Sequence, residues 1–77
     1  MDRVEWKKKV TDELQHLAPN KQAMKHWVES QNFKIYIDQG KPEGSWWFEA
    51  ENENMAFSKM IVRWDVNKKP TLKVTVA

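Results

Sequence analysis

Cysteine is absent from this 77-residue chain, which excludes disulfide staples, thiolate metal sites and thiol nucleophiles. Glycine occurs only at Gly40 and Gly44, framing Pro42, so there is no glycine-rich loop to cradle a phosphate. Histidine is as scarce. His16 and His26 fall on different predicted helices, without the convergent spacing of a metal site, and no metal or other cofactor is expected. The acidic run Glu51, Asn52, Glu53, Asn54 lacks the glycine and trailing glutamate of a calcium loop and is expected to be a hairpin turn. No apolar run approaches the ~18 residues of a membrane-spanning helix. Charged residues follow Met1 at once, unlike a signal-peptide core, so the expectation is a cytoplasmic protein with no membrane contact.

A block of one charge sign is missing too. Thirteen Lys and Arg stand against eleven Asp and Glu, a net of +2. Residues 1–32 carry six basic and five acidic side chains, and residues 33–77 carry seven and six. The clustered basic stripe of a nucleic-acid binder is not visible, so nucleic acid is disfavoured as a partner. Lys7, Lys8 and Lys9 form a short basic run, but three successive helical residues spread over about 200°, which describes a solvated helix surface.

Catalysis is not expected either. Ser30, Ser45 and Ser58 lack the glycine-framed turn of an activated nucleophile, and Glu49 and Asp65 each have a predicted basic neighbour. The chain is short enough for one domain, residues 1–77, and a chain of this size buries only about 60–65% of its unfolded surface. Five tryptophans compensate for that, since each large aromatic buries roughly 150–250 Å².

The chain opens with two helices. Asp2 and Glu5 have the spacing of a capping box, and Trp6, Val10, Leu14 and Leu17 recur as one helical stripe. Pro19 ends that helix, predicted over 2–18. Asn20 caps a second, over 20–31, with Ala23, Met24, Trp27 and Val28 as its apolar stripe. Gln31 and Asn32 end it, since Asn tolerates the left-handed conformation.

From Phe33 onward the pattern changes to strict alternation. Phe33, Ile35 and Ile37 point one way, as do Trp46, Phe48 and Ala50; Met60, Val62, Trp64 and Val66; and Leu72, Val74 and Val76. Strands are predicted over 33–38, 45–50, 56–66 and 70–76, and the short links between them imply an antiparallel meander. The expected fold is α+β, with two N-terminal helices on one face of a four-stranded sheet (ααββββ). Matching core residues across strands pairs Phe33 with Ala50, Tyr36 with Trp47, Ala50 with Ala56, Trp47 with Lys59, and Val66 with Leu72. The third strand then serves one neighbour with each half, which predicts a strongly twisted sheet with a bulge near 58–61.

The other sheet face carries the functional expectation. Tyr36, Trp47, Phe57, Lys59, Ile61 and Arg63 are predicted to form an apolar centre with charges at its edge. Aromatics and Arg concentrate in protein interfaces, so the main reading is a non-catalytic interaction module that binds a protein or a second copy of itself as a homodimer. Two alternatives stand beside it. One is an engineered chain without a biological function, suggested by the clean alternation and complementary cross-strand charges. The other is weak single-stranded nucleic-acid binding on an aromatic and basic sheet. Against the latter, the predicted face balances Lys34, Lys59, Arg63 and Lys73 against Asp38, Glu49 and Asp65, only +1.

Overall fold

A computed structural model describes residues 2–55 and 57–77. Two helices, α1 (Arg3–Leu17) and α2 (Lys21–Ser30), precede four strands: β1 (Lys34–Gly40), β2 (Trp46–Glu51), β3 (Lys59–Trp64) and β4 (Leu72–Val76). The strands pair antiparallel in the order β1-β2-β3-β4, the expected α+β meander. Both helices lie on one sheet face, α1 against β4 and α2 against β1.

The helix ends follow from side-chain capping. The Asp2 carboxylate accepts the Glu5 N–H at 2.8 Å, and the Asn20 amide oxygen accepts the Ala23 N–H at 3.0 Å. Asn32 sits at φ 68°, in the left-handed region it was expected to supply after α2.

The core is built from the two stripes and the alternating strand residues. Trp6, Val10 and Leu14 of α1 and Met24 and Val28 of α2 close over Phe48, Ala50, Met60, Val62 and Val74. Trp46 stacks between Phe48 and Trp64 at 5.9 and 6.4 Å, and Trp6 stacks on Phe33 at 6.2 Å. The indole N–H groups of Trp6 and Trp46 have no acceptor among the described residues. Each unpaired donor costs roughly 1–3 kcal/mol, whereas burying ~150–250 Å² of ring contributes roughly 4–6 kcal/mol at ~25 cal/mol per Å². Ring burial wins.

Registers differ from those expected, while most faces do not. Trp46 pairs with Trp64, Trp47 with Arg63 and Ala50 with Met60, four residues along β3 from the expected partners. Ala56, the expected partner of Ala50, lies outside the described residues. On the other side of β3, Trp64 pairs with Leu72 and Val62 with Val74. A shift by an even number of residues leaves every side chain on its own face, so alternation fixes parity but not register.

The link before β3 is what moves it. Asn52 is buried, its side chain accepts the Asn54 N–H, and its own N–H donates to Ser58 O at 2.8 Å. Met55 and Phe57 pack from that loop against the core instead of extending the strand. β3 is therefore shorter than 56–66, the same residues Met60–Trp64 serve both neighbours, and Val66 lies beyond it, 51% exposed.

The irregularity expected near 58–61 is found in β1 instead. Lys34 and Ile35 pair with Glu51 and Ala50, whereas Ile37 and Asp38 pair with Glu49 and Phe48, leaving Tyr36 as the extra residue. Past this bulge the faces exchange. Ile37, expected in the core, stands opposite Glu49, and Asp38, expected outside, stands opposite the buried Phe48.

Asp38 thereby meets α2. Its two carboxylate oxygens bind Lys21 and Lys25, each at 2.5 Å. The Lys21 side chain is only 7% exposed; its ammonium also donates to the carbonyls of Gln39 and Gly40 at 3.3 Å and lies 5.6 Å from the centre of the Trp46 ring. Gly40 permits the approach. At φ +87° and paired with Trp46, it has no room for a Cβ, which would sit 2.4 Å from Ser45 O.

The bonds from Lys21 and then Lys25 hold the Asp38 carboxyl below the usual carboxylate range. A depressed carboxylate pKa stabilises the fold above about pH 4 and loses that contribution as pH falls through the folded-state value. The stability gap between wild type and Asp38→Asn, measured by urea unfolding, should therefore be widest near neutrality and close below about pH 4. At neutral pH Asp38→Asn should cost about 1–3 kcal/mol, less than a fully buried pair because Asp38 is 35% exposed. Lys21→Met should cost less, since it leaves no buried charge behind.

Candidate interaction surface on the outer sheet face

Period-2 alternation carries Trp47 and Glu49 of β2, Ile61 and Arg63 of β3, and Lys73 and Thr75 of β4 to the face away from the helices. The registers set them abreast: Trp47 opposite Arg63, Glu49 opposite Ile61, Arg63 opposite Lys73 and Ile61 opposite Thr75. The Arg63 guanidinium lies 5.4 Å from the centre of the half-buried Trp47 ring, a cation–π contact at the middle of this face.

These residues line a shallow concavity of about 760 Å³, with Trp47, Ile61 and Pro70 forming its apolar part. Its rim comes from three parts of the chain. Arg63 and Lys73 rise from the strands, Lys68 and Lys69 from the β3–β4 turn, and Lys7 from α1. Among the described residues Glu49 and Asp65 supply the only carboxylates of the lining, so five cations against two anions leave a net of +3. The turn is braced by the Lys68 N–H donating to Asp65 O, the Asp65 N–H donating to Thr71 O, and the Thr71 hydroxyl donating to Lys68 O. Among the described residues none of the five cations has a carboxylate within 4.0 Å. Arg63 and Lys73 are a like-charged pair placed directly opposite, an arrangement that opposes folding unless an anion neutralises it.

Of the six residues expected on the interaction face, three converge here: Trp47, Ile61 and Arg63. Tyr36 is 41% exposed and joins the rim indirectly, its hydroxyl donating to Glu49 Oε2. Lys59 pairs with Glu51 at the far end of β3, away from the concavity. Phe57 is a correction, because it packs against the core from the loop. Trp47 was expected beside Tyr36 and Lys59, but it lies opposite Gln39 and Arg63.

Sequence reasoning missed the convergence of Lys7, Lys68 and Lys69. The adjacent lysines of the turn were legible as a pair, but nothing in local spacing brings α1 alongside β4. His16 and His26 remain on separate helices, and no group of three or more potential metal ligands exists among the described residues. No helix among those residues is long and apolar enough to cross a membrane.

Tyr36 is the chain's one tyrosine, which makes it a spectroscopic probe of this face. Its pKa is pushed up to about 12, first by the hydrogen bond to Glu49, with partial desolvation and the charges of Glu49 and Glu51 adding to it. Ultraviolet titration should find phenolate forming near 12 instead of near 10, and Glu49→Ala, which removes both the acceptor and the charge, should return the midpoint most of the way. An unshifted wild-type midpoint would contradict the Tyr36–Glu49 bond.

No family model, curated protein or solved structure matches this chain.

Proposed function

We propose that this chain is a non-catalytic interaction module whose working surface is the outer sheet face around Trp47, and whose partner carries negative charge. One observation carries the proposal: five cations without ion pairs among the described residues surround a half-buried tryptophan in an open concavity. Trp and Arg are the residues most enriched at binding hot spots, and here they are already in contact. The like-charged Arg63–Lys73 pair raises the energy of the free surface, and an anion bound between them removes that cost.

The same charge favours a different molecule over a second copy. Two copies meeting through this face about a two-fold axis would bring +3 against +3, a repulsion that nothing in the lining offsets.

Immobilised heparin is a generic polyanion on which the proposal can be tested. Wild type should be retained, and reversing two rim charges, Arg63→Glu with Lys73→Glu, should lower the eluting salt concentration severalfold while circular dichroism stays unchanged. The same change in net charge at the exposed Lys8 and Lys41 should have a much smaller effect. Equal losses in the two variants would mean that net charge alone governs retention and no dedicated surface exists. Sedimentation at ~150 mM salt should show a monomer, and a dimer dispersed by Ile61→Lys would replace this reading with self-association.

A further inference from the structure

We infer that the occupant of this concavity is a single-stranded nucleic acid, an inference that rests on the interaction-module reading above and names its partner. The outer face expected from alternation balanced four cations with three carboxylates, too neutral for a phosphate backbone. Folding changes the balance in three ways. Lys34 and Lys59 fall outside the concavity. The β1 bulge withdraws Asp38 to the helix side, where Lys21 and Lys25 bind it. The β3–β4 turn and α1 bring Lys68, Lys69 and Lys7 to the rim. What remains is an electropositive concavity at +3 whose cations extend from the paired Arg63 and Lys73 to the end of the hairpin.

Charge alone does not separate a nucleic-acid strand from an acidic polypeptide; Glu49 and Asp65 do. Both line the concavity among the cations, where they repel phosphates and carboxylates alike, and the glutamate side chains of an acidic peptide offer them no donor in return. A nucleic-acid strand offers them something to bind. Its phosphates meet the lysines and Arg63, while the exocyclic amines of its bases donate to carboxylates. Glu49 accepts the Tyr36 hydroxyl at Oε2, which leaves Oε1 without a hydrogen bond among the described residues. A ligand carrying both anions and amine donors satisfies a lining that carries both cations and acceptors.

The Trp47–Arg63 pair supplies the third component. Bases of unpaired strands stack on aromatic rings and on guanidinium planes, and here the guanidinium lies over the indole at 5.4 Å. A base stacked on this pair extends an existing cation–π contact. A duplex cannot use it, because its bases are stacked on one another.

The inference is tested with ~12-nucleotide homopolymers of deoxycytidine and deoxythymidine, a duplex of equal length and a ~12-residue glutamate peptide as probes. Binding is followed by tryptophan fluorescence. Trp47 is the tryptophan on the outer face, since Trp6 and Trp46 are buried and Trp27 and Trp64 pack against the core. The cytidine strand should bind and quench. Its dissociation constant should rise about 100-fold between ~50 and ~200 mM salt, because five neutralised phosphates give a logarithmic slope near −3.5. Lys68→Ala and Lys73→Ala are solvent-exposed changes that preserve the fold, and each should flatten that slope by about 0.7. Thymidine, which lacks the exocyclic amine, should bind severalfold more weakly, and Asp65→Asn should narrow that preference. Equal binding of duplex, of the glutamate peptide or of both pyrimidines would overturn the inference, as would no binding of the cytidine strand at ~50 mM salt. Heparin retention that depends on Arg63 and Lys73, without strand binding, would sink this inference while leaving the interaction module standing.

Discussion

One extra residue in β1 separates the two faces of this protein. Without the bulge at Tyr36, strict alternation would carry Asp38 to the outer surface and Ile37 into the core. With it, Tyr36 stays outside and binds Glu49, while Asp38 turns inward to hold α2 through Lys21 and Lys25. The buried Lys21 is then satisfied by a carboxylate, two carbonyls and the face of Trp46. Gly40 completes the arrangement, because only a residue without Cβ lets the end of β1 approach Trp46 so closely. The bulge, the glycine, the lysine and the tryptophan form one device that seats α2 on the sheet.

That device has a consequence on the opposite surface. Removing Asp38 from the outer face removes an anion from it, and the five cations of the concavity face only two carboxylates among the described residues. In a chain whose net charge is only +2, segregation rather than excess produces the electropositive surface. Asp38 neutralises Lys21 and Lys25 at the helix–sheet contact, Asp12 neutralises Lys8 on α1, and Lys7, Arg63, Lys68, Lys69 and Lys73 have no ion-pair partner among the described residues. Even charge distribution along a sequence therefore says little about charge distribution over a surface.

Much of the fold was legible in the residues. The change from a period near 3.6 to a period of 2 at Phe33 marks where helices give way to strands, and Asp2, Asn20 and Asn32 mark the helix ends. The candidate surface was half legible. Trp47, Ile61 and Arg63 were placed by alternation, while Phe57 was misplaced because Asn52 ties the preceding loop to Ser58 and turns the aromatic ring toward the core. The lysines at the rim belong to three elements distant in sequence, and no local pattern connects them.

The sequence by itself determined element types, the helix caps and the parity of β2, β3 and β4, because each depends on neighbours within a few residues. Register, the position of the bulge and the composition of the outer surface were decided by tertiary structure. The physical reason is that side-chain alternation has a period of two, so shifts of two or four residues keep the same core and the same alternation. Only loop geometry and packing distinguish them: the buried Asn52 turn fixes β3 against β2, and the inward pull of Lys21 on Asp38 fixes where β1 gains its extra residue.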